Sequence, residues 1–239
     1  VRNRYIPNQH GAWAMLTIPF LLGTFAAKAS FIHILLFIGW LLVYLLSFPF
    51  LQFIRTGKSK LYLRPIQIYG VLFVVVGAAL LILKPVLALI GLAYIPLFSI
   101  NVYYAKLNQE RSFINDMVAV VQFCSMLYVT YWLGGGTDWI LASELFLIVF
   151  LYFTGTVFYV KTMIREKKNK SFYVISVIFH SISLVFIGLY ISPLLIIPML
   201  IVLARAVIYP KIKLNIMQIG ISEIVFSLIL TIFSLGIYS

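Results

Sequence analysis

Nine apolar stretches, most of them close to 20 residues long, fill nearly all of this 239-residue chain. They run at about 11–28, 31–53, 66–83, 86–104, 114–134, 140–163, 172–191, 192–209 and 217–238. A helix rises about 1.5 Å per residue, so roughly 20 apolar residues cross the hydrocarbon of a bilayer. The chain is 63% apolar and 10% charged, against about 45–50% and about 25% in an average soluble domain. A soluble globule of this size would have no interior for most of those side chains. The fold class expected is therefore an all-α integral membrane protein, one polytopic domain over 1–239 with nine transmembrane helices. The runs are too long and too uniformly apolar for the alternation of a barrel. Composition also excludes intrinsic disorder and a disulfide scaffold, since Cys124 is the single cysteine.

Charge orients the chain. The net charge of +12 would suggest nucleic acid on a soluble protein, but its distribution follows the membrane. With a cytoplasmic N-terminus, sixteen of the eighteen basic residues fall on the cytoplasmic side. They lie around Arg2, around 55–64, around 106–111, in 161–170 and in 205–213. Lys28 and Lys84 are left outside. The positive-inside rule predicts such a split, so the chain is expected N-in and C-out in the cell membrane. The excess then meets anionic headgroups, and no nucleic-acid partner is needed. Arg2, Arg4, the first apolar run and Ala27-Lys28-Ala29 also fit a cleavable signal. The unusual segment Pro7-Asn8-Gln9-His10-Gly11-Ala12-Trp13 argues for a retained helix.

Prolines 65 and 85 stand where they can open helices, Gly134-Gly135-Gly136 closes the fifth run and Pro210 the eighth. The longest polar connections expected are 54–65 and 161–171, both cytoplasmic. They look alike: Phe53-Ile54-Arg55-Thr56 matches Tyr159-Val160-Lys161-Thr162 in type at each position. The two segments hold equivalent places four helices apart, which suggests an internal repeat. Two ordinary basic stop-transfer ends are the plainer alternative.

Polar groups inside a membrane are costly, and each calls for a partner. Arg205 near the end of the eighth run and Glu223 near the start of the ninth sit at one depth if those helices are antiparallel. They are expected to form a structural ion pair, a helix-helix staple or the wall of an anion or proton site. Asp116 opens the fifth helix behind Ser112, a capping arrangement or a cavity carboxylate. Lys161 and Arg165, four apart, share a helix face. With Arg55, Arg64 and Arg111 they are expected to form a basic cup suited to phosphate or carboxylate, or else to contact headgroups. Asn8 and His10 at the mouth of the first helix and His180 within the seventh complete the candidate ligand-binding set. His33 reads as an interfacial residue. Zinc-ligand spacing, a phosphate-cradling glycine loop and a nucleophile elbow are all missing, so neither metal nor cofactor is expected and no catalytic residue is assigned.

The segments Pro7-Asn8-Gln9-His10-Gly11-Ala12-Trp13-Ala14-Met15 and Tyr159-Val160-Lys161-Thr162-Met163-Ile164-Arg165-Glu166 resemble the YwiC-like family of bacterial membrane proteins. A more distant resemblance is to the UbiA superfamily of intramembrane prenyltransferases. That resemblance implies a nine-helix bundle, N-in, with active loops after helices 2 and 6 on the cytoplasmic side. The superfamily places aspartate-rich motifs there to hold Mg²⁺ against a prenyl diphosphate. Here Ser47 to Arg55 offers no carboxylate, and the second place offers only Glu166 among basic residues. A hard cation needs oxygen ligands, so the chain departs from metal-dependent transfer. The reading is a site that binds or processes an amphipathic anionic lipid of isoprenoid or quinone type, in a cavity open to the cytoplasm. The alternatives are a small-anion carrier and a non-catalytic accessory subunit of a membrane complex.

Overall fold

A computed structural model describes residues 5–7 and 10–238, the side chain of His10 excepted. Asn8, Arg2 and Arg4 lie outside the described residues. Among those described, nine α-helices follow one another. They are α1 His10–Ala26, α2 Phe31–Thr56, α3 Ser59–Leu83, α4 Leu87–Lys106, α5 Phe113–Leu133, α6 Trp139–Ile164, α7 Lys170–Tyr190, α8 Ile196–Ile208 and α9 Ile216–Tyr238. Eight spans are long and apolar enough to cross a membrane, α8 counting with the 3₁₀ turns that flank it as Pro193–Lys211. The ninth, α1, has 17 residues and falls short of that length.

The first polar connection is not the loop the sequence suggested. α2 continues through Arg55 to Thr56, and α3 begins at Ser59. Gly57 makes the break: it adopts φ +66° and its N–H closes on the Phe53 carbonyl at 2.8 Å, a left-handed cap that glycine takes without a Cβ penalty. Lys60 and Arg64 therefore lie on α3, and Pro65 lies inside that helix instead of opening it. Its missing N–H falls one turn or more past the helix start, a loss that membrane helices tolerate. The second connection is a true loop, residues 165–169. The matched threonines lie in the last turn of their helices, Thr56 at the end of α2 and Thr162 two residues before the end of α6, each hydroxyl bonding the carbonyl four residues back at 2.7 and 2.8 Å.

The chain divides into two compact units. One holds Ala29–Phe123, that is α2, α3, α4 and the first half of α5. In it α2 and α3 form a tight hairpin, Gly39 of α2 meeting the Leu80 side chain. Trp40 sits edge-on to Tyr94 and to Phe123, with centroids 5.9 and 5.5 Å away. Of the large apolar side chains of α3 and α4, only Leu80 and Leu87 are buried, as befits a lipid-facing surface.

The other unit holds Gln9–Lys28 and Cys124–Ser239. Here α1 packs against α9 and α6, α6 against α7, and α7 against α8. Its core includes Leu16, Leu22, Leu127, Leu145, Ile148 and Ile187, all buried. One face of α1 is thus packed, its Gly23 pressed against the Leu127 carbonyl and Thr130 of α5, while Leu21 and Phe25 stay exposed. His33, expected at an interface, is buried and caps α2 through Nδ1 and Ser30.

Candidate functional site

In the unit built by α1 and α6–α9, sequence places Arg205 on the inner face of α8 and Glu223 on α9. The antiparallel turn between them brings the two to one depth. Arg205 Nη1 donates to Glu223 Oε1 at 2.8 Å, with side chains 0% and 3% exposed. Nη2 reaches Thr156 Oγ1 of α6 at 3.5 Å. The guanidinium carbon lies 4.3 Å from the ring centroid of Tyr159, 5.1 Å from Phe226 and 5.8 Å from Tyr152. Cation–π attraction of this kind is strongest where the cation has lost its water. Tyr152, Thr156 and Tyr159 recur at i, i+4 and i+7, so one stripe of α6 supplies two of the three rings and the hydroxyl. The sequence reading missed this cage, although that stripe is its signal.

The centre is not saturated. Arg205 Nε, Glu223 Oε2 and the hydroxyls of Tyr152 and Tyr159 are buried and have no hydrogen-bond partner among the described residues. A staple alone would leave such atoms unpaired at a cost of about 1–3 kcal/mol each. Together they offer two hydroxyls, one guanidinium N–H and one carboxylate oxygen, which suits a small polar guest.

Next to this centre along α6, Gly155 faces His180 of α7; a Cβ there would stand 2.9 Å from His180 Nε2. His180 is the eleventh residue of α7, near mid-helix, because the helix starts at Lys170, two residues before the limit read from the sequence. It is 2% exposed.

At the end of α6 nearest Tyr159, a cleft of about 560 Å³ opens between α6 and the start of α9. Met163, Ile164, Leu214, Ile216, Met217 and Ile219 wall it, and Lys167 and Asn215 add its polar groups. Met163 and Ile219 pack directly with Tyr159, so the floor of the cleft is the roof of the Arg205 cage. Lys161 is half-buried and Arg165 is exposed at the same end of α6. Lys167, which no reading of the sequence selected, is the cation that lines the cleft.

The other unit holds its own polar cluster. Arg55 Nη1 of α2 donates to Glu110 Oε2 at 2.9 Å, and Gln52 Nε2 reaches the same carboxylate at 3.2 Å. Asn115 Nδ2 donates to the Glu110 carbonyl at 2.8 Å, and Asn101 Nδ2 donates to Asn115 Oδ1 at 2.8 Å. Ser112 caps α5, its Oγ accepting from the Asn115 N–H at 3.2 Å. Asp116 lies in the first turn of α5, and Arg64 and Arg111 are exposed. Arg55, expected to face an anionic guest, thus already has a carboxylate. Glu110 was overlooked because it lies in the turn before α5, outside any apolar run. Among the described residues no three His, Cys, Asp or Glu side chains gather as a metal site. His10 opens α1, its side chain outside the described set.

Residues 6–131 match the family model described as YwiC-like protein. The chain belongs to the YwiC-like family. It is 42% identical over 169 residues to "Uncharacterized protein YwiC" of Bacillus subtilis (strain 168), covering 70% of each chain. It is 33% identical over 225 residues to an "Uncharacterized protein" of Haemophilus influenzae, covering 91% of this chain and 92% of that one. No solved structure matches. The family match takes in the Gln52–Arg55–Glu110 cluster and ends before the Arg205 cage.

Proposed function

We propose that this YwiC-like membrane protein binds an amphipathic anionic lipid of isoprenoid or quinone type in the cleft between α6 and α9. The observation that carries the reading is the chemistry of that cleft. Six apolar side chains wall about 560 Å³, and Lys167 and Asn215 supply a cation and an amide. The tail lies along Met163, Ile164, Ile216 and Met217, and the anionic head meets Lys167, with Lys161 and Arg165 close in sequence. The charge split supports a cytoplasmic opening, with the N-terminus inside and the C-terminus outside. A UbiA-like bundle belongs to the same proposal, on the order of helices and basic segments alone. Without the aspartates of that superfamily no metal-dependent transfer step is part of it.

The test is mass spectrometry of lipids that accompany the full chain in a mild detergent. The wild type is expected to retain a polyisoprenoid or other anionic amphiphile, depleted several-fold in Lys167→Glu and in Met217→Trp. Equal lipid profiles in all three proteins would count against it. A small-anion carrier is favoured by one observation, the unpartnered Nε of the buried Arg205. Anion uptake by vesicles holding the wild type but not Arg205→Leu would select that reading.

A further inference from the structure

Buried hydroxyls in these helices have a habitual partner. Thr24 bonds the Phe20 carbonyl at 2.8 Å, Thr162 that of Phe158 at 2.8 Å, and Thr231 that of Ser227 at 2.7 Å. Such back-bonding is the default way for a helix to satisfy a hydroxyl in an apolar setting. Thr154 of α6 and Ser234 of α9 break the habit, and so do two residues of one helix, Ser176 and Ser183 of α7. Both are buried, and neither Oγ has a partner among the described residues. His180 stands between them on the same stripe, at i+4 from one and i−3 from the other.

The tautomer of His180 follows from its contact. Nδ1 lies 2.7 Å from the Ser176 carbonyl oxygen. A carbonyl only accepts, so Nδ1 carries the proton, and in the neutral ring Nε2 presents a lone pair. Nε2 too is buried with no partner among the described residues. Three unpartnered polar atoms therefore line one face of α7, at steps of about 6 and about 4.5 Å along the axis. Groups so spaced are within reach of one bridging water each, and buried water takes two to four polar partners of this kind. Gly155 keeps the opposite wall of α6 low at Nε2, where any other side chain would crowd the ring.

We propose that the α7 face of Ser176, His180 and Ser183 holds ordered water within the membrane, and that His180 Nε2 is its proton acceptor. The site binds water and a proton; no other ligand is required. The Nε2 lone pair takes a proton that the bridging waters relay from bulk solvent along the serine stripe, each water gaining one proton as it gives one up, and the ring becomes imidazolium, still donating Nδ1–H to Ser176. The ionisable groups on the elements packed against α7 are Glu144, Tyr152, Tyr159 and Lys161 of α6 and Arg205 of α8. Of these, Arg205 is paired with Glu223 of α9 at 2.8 Å.

The test is ¹⁵N NMR of the histidine-labelled full chain in vesicles of phosphatidylethanolamine and phosphatidylglycerol. The chain has three histidines, His10, His33 and His180, so His10→Asn and His33→Asn assign the third without altering it. Two results are expected of the His180 ring in the otherwise unaltered site. It receives magnetisation from water, and Nε2 passes from unprotonated to protonated as pH falls from about 8 to about 4. Ser183→Val is expected to weaken the water signal several-fold. A ring that receives no magnetisation from water overturns the proposal, and so does an Nε2 that stays unprotonated across that range. Neither result depends on the lipid cleft between α6 and α9.

Discussion

Arg205 and Glu223, eighteen residues apart on adjacent helices, are joined at 2.8 Å in a place water does not reach. Removing one partner leaves the other charged and buried, which costs about 3–5 kcal/mol. Glu223→Gln is therefore expected to lower thermal stability in detergent more than the double variant Glu223→Gln, Arg205→Leu. A double-mutant cycle that closes additively would show that the two are not coupled.

The cage around Arg205 makes a sharper distinction. The Tyr159 hydroxyl has no partner among the described residues, while its ring lies 4.3 Å from the guanidinium carbon. Tyr159→Phe keeps the ring and is expected to stay within about 0.5 kcal/mol of the wild type or gain slightly, since a buried unpaired hydroxyl is removed. Tyr159→Leu loses the cation–π contact and is expected to cost about 1–3 kcal/mol. Unfolding in graded denaturing detergent measures both; equal losses would show that the hydroxyl, not the ring, matters.

Glu110 gives the contrasting case. Its pair with Arg55 is of similar length, but the side chains are 26% and 19% exposed. Partly wet pairs are worth about 0–1 kcal/mol. Glu110→Gln is expected to change stability by less than 1 kcal/mol, with a smaller effect in high salt. A loss as large as that of Glu223→Gln would mean that the Gln52–Arg55–Glu110 cluster is drier than its exposure indicates.

Helix α1 should be sensitive at one point. A Cβ on Gly23 would collide with the Leu127 carbonyl and the Thr130 hydroxyl of α5, and backbone cannot move aside as a side chain can. Gly23→Val is expected to cut the yield of folded protein several-fold, whereas Gly11→Ala, with open space around it, should not. Size-exclusion profiles after extraction compare the two.

Topology can be read directly. A reporter fused after Ser239 is expected outside the membrane, and one inserted at 165–169 inside, as the sixteen-to-two division of basic residues requires. A reporter after Ser239 that reads cytoplasmic would refute the N-in, C-out arrangement.

The sequence by itself determined that this chain crosses a membrane repeatedly, because about 20 apolar residues in a row have no other stable use. It also determined that Arg205 and Glu223 would meet, since two antiparallel neighbours joined by a short turn share a depth whatever their packing. It did not determine where helices turn at 54–65, because Pro65, the seventh residue of α3, reads like a helix start and draws the break away from the left-handed cap at Gly57. Nor did it supply Glu110 as the partner of Arg55, or the rings of Tyr152, Tyr159 and Phe226 around Arg205. Depth follows from residue count along one helix, but which side chains touch follows from the rotation of each helix about its axis. Every face of an apolar helix is equally at home in lipid, so hydrophobic patterning fixes no rotation; close packing of specific side chains does, and that is settled only when the helices assemble.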